Sequence, residues 1–549
     1  MTTITPYRSP VQDGPDGFPQ LLHAEWTKFR TVRGWVIGMI VAILVTAGIG
    51  LFLVAASGNV SCGAASPGGS VQHVRHGAAA CGQPALLLGP GGEPVTDSFY
   101  FVRQPLAGNG SITVRVTSLR GPSEAAANTA NLRPGLHIGT LQSGLVPWSK
   151  AGILIKQDLR QGSAYAAMMV TGGNGVRMQW NYTGDTPGLS GAVSAASPRW
   201  LRLTRDGDTI TGFDSTDGAH WTQVGAVHLA GLPSTVQAGL FATSPEYIAI
   251  STSFGSGNIN NGHTVATAVF DHVSRSGAWP ASTWTGSDIG PATEGIQGHP
   301  QGYHQTAGQF TVTGMGDIAP AIPGAGNTAV GHEPIGFFLA GTVAGLIAVI
   351  VVATMFMTAE YRRGLIAVTL AVSPGRGRVL AAKAIVIGSA AFVTGLAAAA
   401  GTVIAATEMA HANGYSMFPV PWPAELRLIA GTAALVAVTA VLALAVGTMV
   451  RRSAAAVMIV IAAIVVPYFL TFTAAVPTVI GEWLLRVTPA AAFAVQQSTP
   501  QYHQVQALYT GGLGNGFYPL AGWAGFAVLC GWAALALAAA ACLLRRRDA

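Results

Sequence analysis

The sequence predicts two materials in one chain: an α-helical membrane bundle of six transmembrane helices, and an all-β sandwich inserted after the first of them. Three observations carry this. Six runs free of Asp, Glu, Lys and Arg are each long enough to cross a bilayer: Trp35–Ala56, Ile335–Met357, Ala384–Thr407, Leu428–Val450, Ala454–Val476 and Leu520–Leu544. From Ser57 to about Pro334 the chain instead favours Gly, Ser, Thr, Asn and Asp, with period-two alternation between Ser98 and His272. Only 9% of residues are charged, far below the roughly 25% of soluble domains.

Residues 1–34 comprise a polar cytoplasmic tail and an amphipathic lead-in helix. In Phe18–Gly34 the apolar Leu21, Leu22, Trp26 and Phe29 fall at helical spacing, surrounded by Glu25, Lys28, Arg30 and Arg33. The first span, 35–56, is expected to stay as an uncleaved anchor. A cut after Val54-Ala55-Ala56 is the competing reading, but the run is too long for a typical signal-peptide core. An exterior linker covers 57–97, the sandwich 98–273, and a strand and linker region 274–334. Spans two to six occupy 335–549. Pro467 is expected to kink the fifth span. Pro477–Pro519 holds a short apolar piece with Glu482 and Arg486, read as either a partly inserted hairpin or an interfacial helix.

Sandwich strands are expected at 111–116, 151–157, 164–170, 176–182, 200–205, 209–214, 221–227, 236–243, 249–255 and 265–273, with a further one at 308–314. Asp206-Gly207 and Asp217-Gly218 supply hairpin turns.

Charge sets the orientation. With the N-terminus inside, the inner flanks hold Lys28, Arg30, Arg33, Arg362, Arg363, Arg376, Arg378, Lys383, Arg451, Arg452, Arg545, Arg546 and Arg547. The two short outer loops hold only Arg427 and Arg486. The positive-inside rule therefore puts both termini in the cytoplasm and residues 57–334 outside. Basic residues so dispersed form no single patch, which argues against nucleic acid as a partner despite the net charge of +6.

The segment Thr358–Lys383 concentrates charge between two spans: Glu360, Arg362, Arg363, Arg376, Arg378 and Lys383. Its middle, Gly364–Val372, is apolar and helix-compatible, and Ser373-Pro374-Gly375 breaks it. This reads as a short amphipathic helix on the inner surface, placed to touch a soluble partner. Arg376, Arg378, Lys383, Arg451 and Arg452 suit topology setting and lipid headgroups.

The chain lacks GxxxxGK[ST] and any Cys/His cluster, so neither an ATP-binding loop nor a metal site has sequence support. Cys62 and Cys81 are candidates for a disulfide in the exterior region; two free thiols in a linker is the other reading. Trp148, Trp180 and Trp221 are candidates for stacking on a surface glycan, against the plainer reading of core aromatics. No catalytic residues emerge, and the chain is not expected to be an enzyme.

Two resemblances add to this reading. Gly139–Ser244, including SKAGILIKQDLRQGSAYAAMMVTGGNGVRMQWNY and PRWLRLTRDGDTITGFDSTDGAHWTQVG, resembles the concanavalin-A-like and laminin-G-like jelly rolls. The membrane part resembles the permease subunit of type 2 ABC exporters. LLHAEWTKFRTVRGWVIG matches the family's lead-in helix, and MTAEYRRGLIAVTLAVSPGRGRVLAAKA its coupling segment between spans two and three. That likeness implies an ATPase subunit docking on Glu360, Tyr361, Arg362, Arg363 and Gly364. It also implies ATP and Mg bound by that partner rather than by this chain, and a second permease copy, identical or not. The large exterior insert departs from the family's minimal pattern.

Overall fold

The computed structural model describes residues 17–57, 86–121, 144–253, 256–290, 300–322, 334–362, 364, 375–412, 417–472, 476–505 and 517–546. Cys62, Cys81, Arg363 and most of the expected amphipathic surface helix lie outside them.

The helices are α1 (Phe18–Thr31), α2 (Arg33–Ser57), α3 (Thr342–Arg362), α4 (Arg376–Ala412), α5 (Trp422–Val450), α6 (Ser453–Phe472), α7 (Thr478–Val487) and α8 (Gly522–Arg546). Short 3-10 segments, Ile335–Gly341 and Pro489–Gln496, precede α3 and follow α7. Six helices among the described residues are long and apolar enough to cross a membrane. They coincide with the six expected runs. Their apolar character on all sides removes any reason for one face to be solvated. Central α5 touches α3, α4, α6 and α8. It ends at Arg451, whose left-handed φ of 59° stops the helix. The helix α6 continues through Pro467.

The apolar piece within Pro477–Pro519 folds as a hairpin beside α8. The Trp532 indole, ten residues into α8, donates to the Val487 carbonyl at the foot of α7 (2.9 Å). The 3-10 limb then returns between α5 and α8. Glycines permit that approach: a Cβ at Gly525 would collide with the Ala491 carbonyl, and one at Gly431 would sit 2.9 Å from Val495.

Among the described residues, eighteen strands follow α2. They are β1 (Val95–Asp97), β2 (Phe99–Ala107), β3 (Gly110–Arg120), β4 (Lys150–Lys156), β5 (Tyr165–Thr171), β6 (Val176–Trp180), β7 (Gly184–Pro187), β8 (Arg199–Asp206), β9 (Thr209–Ser215), β10 (Thr222–His228), β11 (Thr235–Thr243), β12 (Tyr247–Ser253), β13 (Ser256–Gly262), β14 (Ala266–Gly277), β15 (Thr285–Ile289), β16 (Gly302–Thr306), β17 (Gln309–Gly314) and β18 (Ile318–Pro320). Fourteen form two antiparallel seven-stranded sheets, ordered β10-β9-β8-β3-β14-β17-β16 and β15-β2-β11-β4-β5-β6-β7.

Alternate residues of both sheets meet in one core that includes Ile112, Val114, Ile153, Met168, Leu201, Leu203, Leu240 and Phe270. The second sheet is also buried on its other face. Phe99, Phe101, Leu154, Tyr165 and Phe241 pack there beneath the β1–β18 ribbon. Hence β4 and β5 are buried at every position. Strands β15 to β17 lie beyond the expected 98–273 range and complete both sheets.

Candidate functional site

The end of the bundle where α3 stops and α4 starts gathers four ionisable side chains from three helices. On α1, Glu25, Lys28 and Phe29 share one face by i, i+3, i+4 spacing. Glu25 was expected in the polar surround and Trp26 on the apolar face; instead Glu25 is fully buried and Trp26 is exposed. Its burial is explained by Lys383, in the second turn of α4, whose ammonium donates to Glu25 Oε2 (2.8 Å) and to Glu360 Oε1 (2.7 Å). Lys28 closes the ring, donating to Glu25 Oε1 (2.7 Å) and Glu360 Oε1 (3.2 Å). Two carboxylates and two ammoniums sum to zero charge, the condition under which buried ions are tolerated. Burial opposes the charge on Lys28, but Glu25 and Glu360 outweigh it and hold its pKa above the ordinary ammonium value.

Aromatic rings wall the cluster. The Phe356 ring, one turn before Glu360, lies 4.8 Å from Lys383 Nζ. Phe29 and Trp35 meet Phe356 edge-on, at 5.9 and 5.1 Å between ring centroids. The end of α3 is fastened on its other sides too. Thr358 donates to Ser453 Oγ at the start of α6 (3.0 Å), and the Arg451 guanidinium lies 4.9 Å from the Tyr361 ring.

Lys383 therefore stands away from where a headgroup contact would put it: it is buried. Of the residues expected to dock an ATPase, Glu360 points into the cluster and Tyr361 is half-buried, while Arg362 and Gly364 are exposed. Arg376 donates to the Leu544 carbonyl (2.8 Å) and so caps the last turn of α8. Arg378 and Arg452 are exposed. Glu25 and Lys28 are the members that sequence reasoning did not place in the site. A signal was present: Glu25 and Glu360 are the only acids in Phe18–Gly34 and Thr358–Lys383.

By connectivity, this cluster of α1, α3 and α4 lies at the opposite end of the bundle from the sheets, which join α2 to α3. The sandwich rests on the other end. Gln504, beyond the hairpin, donates to the Thr183 carbonyl (2.9 Å), and Val505 and Phe517 pack on Ala319 and Ile322.

The three candidate sugar-stacking rings are occupied within the fold. Trp148 is buried beside Lys150 and Arg177, with cation-to-centroid distances of 5.9 and 5.7 Å. Trp180 packs on the sandwich core. Trp221 donates to the Gly218 carbonyl and is covered by the Arg202 guanidinium at 3.8 Å.

No protein-family model matches the sequence, and no curated protein matches it. Among solved structures the chain is similar to a functionally unknown protein from Saccharomyces cerevisiae, at 16% identity, 33% of this chain, 75% of that one and a TM-score of 0.18. Two structures of scytalido-glutamic peptidase with transition-state analogs each align over 41% of this chain and 100% of theirs. Both are 5% identical, with TM-scores of 0.23 and 0.22. Scores this low carry no argument about this chain.

Proposed function

We propose that the chain is the permease subunit of an ATP-binding-cassette exporter. It moves a hydrophobic or amphipathic substrate across the cell membrane, while a separate subunit hydrolyses ATP. The six apolar helices span the membrane, with both termini in the cytoplasm and the sandwich, read as a jelly roll, outside. The chain itself is not an enzyme, and a second permease copy completes the transporter.

The observation that supports this reading best is the inner ionic cluster. It joins α1 to both sides of the charged α3–α4 connection, so an ATPase pressing on that connection moves three helices as one body. Exposed Arg362 offers the partner charge, while buried Glu360 acts behind it as a positioning residue. The alternative, a membrane-anchored carbohydrate-binding or sensing protein, gains nothing from tryptophans already covered by arginine and core.

The test combines a pull-down with export of a fluorescent lipid probe from vesicles. An ATPase should co-purify with the intact chain, and Glu360→Ala/Arg362→Ala/Arg363→Ala should abolish export. Absence of any ATPase, together with wild-type export by the triple variant, overturns the proposal.

A further inference from the structure

The sandwich keeps its large apolar side chains inside. Among its described residues only two are exposed, Leu88 at 50% and Leu159 at 38%. All the other exposed large apolar side chains among the described residues lie in residues 26–52 or on α3 to α8. A single exposed leucine is ordinary on a protein surface, so position decides.

Leu88 stands at the base of a tip, 89–93. Hydrogen bonds close that tip, from the Gly89 amide to the Glu93 carbonyl (2.7 Å) and from the Gly92 amide to the Gly89 carbonyl (3.0 Å). Gly92 takes a φ of 80° there, which favours glycine. Leu159 stands in the loop that joins β4 to β5. The two loops adjoin, because a Cβ at Gly162 would collide with the Leu88 carbonyl.

This corner of the sandwich faces the bundle. The Gly162 amide and the Tyr182 hydroxyl both donate to Asp97 Oδ2, and the Tyr182 carbonyl accepts from Gln504. The Ala321 amide donates to the Pro94 carbonyl at the foot of the same tip (2.8 Å). The next residue, Ile322, packs with Val505 and Phe517, from the chain that leads into α8. At this end of the bundle α5 and α8 begin, with Trp422 and Trp523 exposed in their first turns. On helices that cross a bilayer, such rings sit where hydrocarbon meets headgroups.

We propose that Leu88 and Leu159 dip into the lipid surface around the bundle, so that the sandwich rests on the bilayer as well as on the helices. This builds on the reading of the six helices as membrane spans. Charge gives an acidic partner nothing to hold: Arg160 is neutralised by Asp158 (2.7 Å), and Glu93 adds a carboxylate. A lipid surface asks only for apolar area and borders the spans. The tip is already closed by its own hydrogen bonds, so insertion orders little new chain.

The test places a photoreactive benzophenone side chain at one position at a time in the full-length chain, held in phosphatidylcholine nanodiscs. The positions are Leu88, Leu159, the exposed Val393 of α4, and Ala219. Ala219 is exposed in the turn between β9 and β10, on the sheet that does not carry the β1–β18 ribbon. Mass spectrometry after irradiation counts adducts to lipid acyl chains. Positions 88 and 159 should each give several-fold more than position 219. The two report independently, so one suffices if a substitution at the other prevents folding. Yields no higher than at 219, beside strong adducts at 393, overturn the proposal and leave the spans standing. Absence of adducts at 393 overturns both. Adducts at 88 that join two chains, in place of chain and lipid, assign the patch to a second copy and overturn the proposal too.

Discussion

Both halves of this protein bury lysines, and they do so differently. In the sandwich, Lys156 of β4 places its ammonium on Asp97 Oδ2 (2.8 Å), the Tyr182 hydroxyl (3.2 Å) and the Ser163 carbonyl (3.2 Å). Tyr182 and the Gly162 amide also donate to Asp97. Lys150, at the other end of β4, is held by Asp317 and the Ile318 carbonyl. These lysines fasten both strands of the β1–β18 ribbon to the sheet. In the bundle, Lys383 has two carboxylates and a phenyl ring, and its companion Lys28 keeps 41% of its side chain exposed.

One buried carboxylate oxygen is unpartnered in each place, Asp97 Oδ1 and Glu360 Oε2. The lesson lies in what surrounds them. Neutral donors enclose the sandwich pair and fix it. The cluster in the bundle is held by charge, opens to solvent through Lys28 and links separate helices, so a change in nearby charge can rearrange it.

Breaking the enclosed pair should cost most. Lys156→Met leaves Asp97 buried without its cation and should destabilise the sandwich by about 3–5 kcal/mol, read as earlier thermal unfolding of the full-length chain. Burial already holds the Lys156 pKa below the ammonium range against the pull of Asp97. Lys383→Met should cost less, about 2 kcal/mol, because Lys28 remains to neutralise the carboxylates. Adding Glu360→Met should recover most of that stability, measured by the same unfolding.

Gln504→Ala removes two bonds from the sandwich, those to the Tyr182 and Thr183 carbonyls. About 1 kcal/mol is expected, visible as faster amide exchange around Tyr182 and Thr183. The smallest effect is acid sensitivity. Hydrogen bonding from Arg115 holds the Asp271 carboxyl below its ordinary 3.8. Its stabilisation is full above that value and fades as pH falls through the folded pKa. Asp271→Asn should therefore flatten the acid limb of melting temperature against pH, and an unchanged limb would assign that slope elsewhere.

Several strands were invisible to pattern reading for a physical reason. Strand β2 has Pro105 and is buried on both faces beneath the ribbon, so alternation fails in it. Edge strands β15 and β16 are polar. Within the bundle, Lys383 looked like any basic flank because its partner Glu25 lies more than three hundred residues away.

By itself the sequence determined the six helices and the antiparallel character of the insert, because a chain's solvent preference is written locally in period and charge. Tertiary structure alone decided which charges are buried, which tryptophans are covered and where Gln504 reaches. Each of those depends on residues distant in the chain meeting across a packed interior, where a single partner reverses the cost of burial.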